Sequence, residues 1–210
     1  MLRTFGMCAI ALASCASAGT APKPKPGDYP VQARVGDVEI AAAYLVHTLP
    51  AEGANFLVPD YLVVEIAIYP PESEAVAVAG GQFRLRMNGK KEAFADTPEM
   101  VAMSLKYPDW EGRHGPEPQV TLGPVILGRR PGTGQVSRPP AAPADQPPNA
   151  DRPPAQTAAE AAVVLAFPDG LCKRPVSGYL YFRYDGKLRS IKSLDLIWQR
   201  GEQQATIRLF

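Results

Sequence analysis

The sequence predicts a mainly β protein: an antiparallel β-sandwich with one or two short helices and a long proline-rich insertion. Three observations lead there. Apolar residues alternate at period two in seven to nine short segments bounded by Gly, Pro, Asn or Asp. Strand and helix signals do not alternate in the rhythm of βαβ units. Finally, the chain of 210 residues holds 23 prolines, about twice the usual share of roughly 5%, and twelve of them fall between positions 108 and 154. That excess is aperiodic, which excludes collagen, and 46% apolar residues exclude a wholly disordered chain. A formal charge of +1 from 22 basic and 21 acidic residues gives no global field for nucleic acid.

The first residues read as an address. Met1-Leu2-Arg3-Thr4 carries one positive charge, Phe5 to Ala13 is apolar, and Ser14-Cys15-Ala16-Ser17-Ala18 is small. This is the layout of a bacterial secretory signal, too short to span a bilayer. Ala16-Ser17-Ala18 offers ordinary cleavage after residue 18. Leu12-Ala13-Ser14-Cys15 resembles a lipobox, with residues 1–14 removed and Cys15 lipidated as the first residue of the mature chain. Small residues at 13 and 14 would enter the peptidase, and the thiol at 15 would carry the lipid. Loss of residues 1–14 removes Arg3 and brings the formal charge to zero, so acyl chains rather than protein charge would hold the membrane. Residues 15–28, with Pro22, Pro24 and Pro26, read as an extended tether. Once Cys8 is removed and Cys15 lipidated, Cys172 is left without an intramolecular disulfide partner. Its neighbours Lys173 and Arg174 could lower its pKa, though a small, partly buried cysteine is the plainer reading.

The body, residues 29–210, then reads as a single domain. Tyr29 to Val35 alternates weakly. Val38 to Val46 is a strand that ends near Pro50, where a Gly/Asn loop follows. Tyr61 to Tyr69 is the strongest strand, with Leu62, Val64, Ile66 and Ile68 on one face, and Pro70-Pro71 stops it. Ala75 to Val78 and Gln82 to Met87 come next, the latter with Phe83, Leu85 and Met87 inward. Asn88-Gly89 is a type I′ hairpin pair, with Lys90 to Ala95 as the return strand. Asp96-Thr97-Pro98-Glu99 starts a helix over 98–106, with Asp96 or Thr97 as its cap. A disordered, proline-rich insertion occupies about 111–156, with Val120 to Leu127 its one strand candidate. Thr157-Ala158-Ala159-Glu160 resembles a capping box for a helix over 158–166. Val176 to Tyr184, a hairpin signal at Asp185-Gly186, Ser193 to Trp198 and Ala205 to Phe210 complete the set. The block after 163 has too few strands to fold alone, so the proline-rich stretch is an insertion within one domain.

Four features together carry a resemblance: the apolar strand 61–69, Phe83-Arg84-Leu85 with Gly89-Lys90 after it, Pro175-x-x-Gly178-x-Leu180-x-Phe182, and Leu194-x-Leu196. In order and spacing they resemble bacterial secreted immunoglobulin-like domains of unknown function, a class common in lipoproteins and related in fold to a mycobacterial immunoprotective extracellular antigen. The likeness covers about 60% of the chain. It implies an immunoglobulin-like sandwich and an extracytoplasmic setting, and it carries over no catalytic or binding residue. The chain departs from the class in its long insertion and in Pro70-Pro71, and it lacks the Cys…Trp…Cys signature of antibody domains.

Motifs for chemistry are sparse. His47 and His114 belong to no triad pattern, and G-x-S-x-G, Walker, dinucleotide-binding and EF-hand motifs do not occur. Two histidines and one mature cysteine are a poor ligand pool for zinc, so neither a metal nor another cofactor is expected. The carboxylate pairs Glu72/Glu74 and Asp109/Glu111 read as solvated loops. Charge is unevenly spread: residues 28–80 hold eight acids and one base, residues 171–210 eight bases and three acids. Arg84 and Arg86 could join a basic face, or oppositely charged cross-strand neighbours could simply pair. Tyr179, Tyr181 and Arg183, opposite the core face of their strand, form a candidate interaction face, unless the 97–106 helix or the insertion covers the tyrosines.

The reading that follows is a non-enzymatic envelope protein in the periplasm or outer membrane, anchored through Cys15. Its partner would be an envelope protein or polysaccharide and not nucleic acid. The alternatives are a periplasmic carbohydrate-active or other hydrolytic enzyme with a loop-borne site, and a carrier of a small apolar ligand.

Overall fold

A computed structural model describes residues 19–107 and 156–210. The leader with Cys15, His114, the strand candidate 120–127 and the proline-rich stretch lie outside the described residues. The chain on either side of 109–155 belongs to one unit. Its described residues are mainly β, with 49% strand and two helices.

The strands are β1 (Val31–Val35), β2 (Val38–Val46), β3 (Thr48–Ala51), β4 (Ala54–Leu57), β5 (Tyr61–Tyr69), β6 (Val76–Val78), β7 (Phe83–Met87) and β8 (Lys91–Asp96). After the helices α1 (Pro98–Lys106) and α2 (Ala158–Val164) come β9 (Gly170–Cys172), β10 (Val176–Arg183), β11 (Leu194–Arg200) and β12 (Gln203–Arg208). Eight of them form one sheet in the order β1-β2-β5-β10-β8-β7-β11-β12, and β3-β4 and β6-β9 are separate pairs. Every paired neighbour is antiparallel. The two ends of the order meet: β1 lies against β12, and the ring of Tyr44 stacks on Phe210 at 5.8 Å.

The alternation that predicted the strands also builds the core. Ile40, Leu62, Ile66, Phe83, Leu85, Phe182, Leu196 and Trp198 share one inner cluster and are fully buried. Phe83 stacks on Trp198 at 6.0 Å and meets Phe167 edge-on at 5.4 Å. The indole N–H of Trp198 donates to Gln82 Oε1 at 3.1 Å, so the largest core side chain leaves no polar atom unmet. β5 is apolar on its other face too: Tyr61 and Val63 belong to a second buried cluster and Ala67 to a third.

Local signals decide most turns. Asn88 and Gly89 both take positive φ, 52° and 68°, as a type I′ turn requires. The Asn88 side chain then ties the turn to a distant loop, accepting from the Lys192 and Ser193 amides and donating to the Ser190 carbonyl. Thr97 caps α1, and Thr157 and Glu160 form the capping box of α2. Asp185-Gly186, expected as a hairpin, is not one: β10 pairs with β5 and β8, and β11 with β7 and β12. The ring of Tyr184 folds over Gly186, where a Cβ would fall 2.5 Å from it, and its hydroxyl donates to the Lys187 carbonyl. The loop after Pro50 is instead the β3-β4 hairpin.

The expected tether is also corrected over its described part, residues 19–28. Thr20 bridges to Ser177, Tyr69 Oη donates to the Lys23 carbonyl at 2.7 Å, and the Lys23 amide donates to Tyr29 Oη. The Lys23 ammonium lies 4.4 Å over the Tyr29 ring, and Pro26–Asp28 makes one 3₁₀ turn. The prolines bend this segment along the sheet instead of holding it away.

The segment after α2 needs one close approach to the sheet. The chain after α2 runs beside β10: the Tyr179 amide donates to the Leu165 carbonyl and the Phe167 amide to the Tyr179 carbonyl, each at 2.9 Å. A Cβ on Gly178 would lie 2.5 Å from Phe167 Cα. Urea denaturation should therefore show Gly178→Ala losing about 2 kcal/mol or more. Gly81→Ala, whose methyl group would meet nothing within 4 Å, should stay within about 0.5 kcal/mol of the parent.

Candidate functional site

The outer face of β2, β5 and β10 is the most heavily elaborated part of the molecule. Three cross-strand rows lie on it: Ala41-Ala67-Ser177, Ala43-Glu65-Tyr179 and Val46-Val63-Tyr181. The small residues of the first two rows leave room for residues 19–29. The large residues of the last support the helices and the β3-β4 hairpin, with Leu49, Val101, Ala161 and Ala162 buried around Tyr179 and Tyr181.

Tyr179 and Tyr181 are therefore not an exposed interaction face; they are 6% and 1% exposed. Their strand phase follows the sequence reading, opposite Leu180 and Phe182, but α1 and α2 cover them. The Tyr181 hydroxyl donates to the Ala162 carbonyl at 3.0 Å. That carbonyl lies in the last turn of α2, where helix oxygens lack an amide partner. Burial raises the pKa of Tyr179 to about 12 and that of Tyr181 also upward, so both hydroxyls stay protonated.

The arginines of the proposed face are exposed or half-buried and engaged with acids. Arg84 meets Glu92 at 3.3 Å and donates to Gln199 at 2.9 Å. Arg86 and Arg208 flank Asp195 at 3.7 and 3.8 Å, and Arg183 lies 3.6 Å from Asp185. Arg200, from the basic C-terminal end, meets Asp37 and Glu74 of the acidic first half. The structure thus does not bring Tyr179, Tyr181, Arg183, Arg84 and Arg86 into one surface. Opposite charges pair across strands instead.

Other candidates have structural partners as well. His47 Nδ1 lies 2.6 Å from the Tyr61 carbonyl and braces the bulge at Val46, a β-branched residue held at φ 61°. Glu72 and Glu74 are exposed beyond the end of β5. Cys172 is buried in the inner core. Cys8 and Cys15 lie outside the described residues. No group of three or more His, Cys, Asp or Glu suited to a metal occurs among the described residues.

Glu65 is a carboxylate within the layer that no sequence motif marks. It sits half-buried mid-face, where Thr20 Oγ1 donates to it at 3.4 Å. Desolvation raises its pKa above the ordinary 4.5, while Lys23 and Thr20 pull it partly back. The signal in the sequence was a strand with only one polar residue among its outward positions, Tyr61, Val63, Glu65, Ala67 and Tyr69. That pattern marks a strand covered on both sides.

Two surface hollows flank this layer. A groove of about 790 Å³ between α1 and α2 is lined mainly by apolar atoms, among them Met103, Leu105, Val163 and Val164. A cleft of about 420 Å³ opens where β8 parts from β10 and includes Asp96, Glu99, Asp169 and Tyr179. There Asp169 Oδ1 accepts from the Gly80 amide at 2.7 Å. Comparison with protein families, curated proteins and solved structures finds no match.

Two substitutions test this account. Tyr181→Phe should lower stability by about 1 kcal/mol and speed amide exchange in α2, read by hydrogen–deuterium exchange. Glu65→Gln should raise the melting temperature at pH 7. The raised pKa means that the folded state holds this proton more tightly than the unfolded chain, so stability is full below about pH 4.5 and declines as pH rises through the folded value. The gain should vanish below about pH 4.

Proposed function

We propose that this chain is a non-enzymatic module of the bacterial envelope, lipid-anchored through Cys15 and working by binding or structural support. The observation that carries this reading is the path of the N-terminal segment. It enters the sheet at Gly19 and Thr20, four residues after the lipobox cysteine, and stays docked to Tyr29. A lipid at Cys15 would thus be coupled directly to the folded body.

The non-catalytic reading draws on how polar groups are used. His47 braces a bulge, Asp169 accepts from a backbone amide, and Glu160 caps a helix. An immunoglobulin-like sandwich fits the sheet as two halves, β1-β2-β5-β10 and β8-β7-β11-β12, with inner faces that share one core. Pairing between the halves is confined to Tyr181 and Phe182 against Asp96 and Ala95. A ligand carrier would need a cavity between those faces, where Phe83, Phe182, Leu196 and Trp198 are fully buried together. A loop-borne hydrolytic site would draw on the carboxylates of the β8-β10 cleft.

Peptide mass spectrometry of protein purified from envelopes tests the anchor, with lipid-modified Cys15 expected at the mature N-terminus. A peptide beginning at Gly19, or Cys15 recovered in disulfide linkage with Cys172, would overturn it. Cys15→Ala should move the protein from the membrane fraction to the soluble fraction.

A further inference from the structure

We propose that the exposed apolar face of α1 and α2 is a membrane-apposed surface, on which the anchored domain lies against the lipid bilayer. The proposal rests on the lipid-anchor reading of Cys15 and adds an orientation to it.

The two helices bury the sides turned toward each other and toward the sheet. Val101, Ala161 and Ala162 are fully buried, whereas Met103 and Val164 are each 52% exposed and Met100 58%. Val163 and Tyr107 extend the same apolar exposure. Contiguous exposed apolar surface of this kind marks an interaction site in a soluble domain. Lys106 lies among these residues, its ammonium 5.6 Å from the Tyr107 ring. A lysine with an apolar stem beside a tyrosine suits the boundary between headgroups and acyl chains.

The place where the chain leaves the structure selects a bilayer over a protein partner. The Gly19 amide donates to the carbonyl of Val164, the last residue of α2, at 2.9 Å. Cys15 is four residues upstream, a reach of about 14 Å even when fully extended. A lipid on Cys15 therefore enters the bilayer within that distance of the exposed helix pair. Shallow burial of about 5–10 Å is the usual seating of interfacial helices. Glu99 and Glu160 on the groove rim argue against electrostatic recruitment. Tethering supplies the local concentration instead, so a weak apolar contact suffices to orient the domain.

The test uses the full-length, lipidated protein in phosphatidylcholine vesicles with brominated acyl chains. Tryptophan is placed by Met103→Trp, Val164→Trp or, as a control at an exposed position of β12, Gln204→Trp. Each variant's emission is read against the parent chain. Quenching at positions 103 and 164 at least twofold stronger than at 204, with position 204 still open to aqueous acrylamide, is the expected result. Vesicle-bound protein in which 103 and 164 are quenched no more than 204 would overturn the proposal and leave the anchor standing. Shielding of 103 and 164 from both quenchers would assign the face to protein contact, for instance a second copy, and overturn it as well. Failure of the parent chain to float with the vesicles would remove the anchor reading and the proposal together.

Discussion

β5 has two apolar faces, and the outer layer of the molecule exists to meet that constraint. A strand in a half-exposed antiparallel sheet alternates apolar with polar residues. β5 instead buries Leu62, Val64, Ile66 and Ile68 inward and Tyr61, Val63 and Ala67 outward. Exposing the second set to water would cost about 25 cal/mol for every Å² of apolar area. Residues 19–29, the β3-β4 hairpin and the two helices each cover part of it. Gly178 lets the chain after α2 come close enough to bond with β10, while Ala41, Ala43 and Ala67 make space for the N-terminal segment.

This explains what sequence reasoning could and could not see. Strand phase and turn chemistry are local, so β2, β5, the Asn88-Gly89 turn and the two helix caps were legible residue by residue. Coverage is not local. Tyr179 and Tyr181 read as an outward row because alternation assigns faces without saying what lies above them. The prolines at 22, 24 and 26 read as a leash because polyproline character says nothing about Tyr69 and Tyr29 waiting across the sheet. At Asp185-Gly186 a favourable hairpin dipeptide lost to Tyr184, which packs over the glycine and routes the chain onward to β11. Glu65 is not legible as a buried carboxylate because its environment comes from distant segments of the chain.

Charge shows the same division. The surplus of acids before residue 80 and of bases after 171 is plain in the sequence. Its use depends on topology, which places Arg200 beside Asp37 and Glu74 and gathers Arg86 and Arg208 about Asp195. Pairs this exposed contribute little stability each. Their effect is to offset the acidic and basic surpluses against each other among the described residues.

The packing of α1 against α2 has an evolutionary consequence. The residues that lead out at Tyr107 and back in at Gln156 belong to neighbouring helices, each with its own cap. The fold has therefore already closed the ring before any intervening residue is specified. Loop-closure entropy then grows only as the logarithm of length, about 0.6 kcal/mol for each doubling. The position acts as a cassette, in which segments of very different length and composition can be exchanged without re-engineering the sheet.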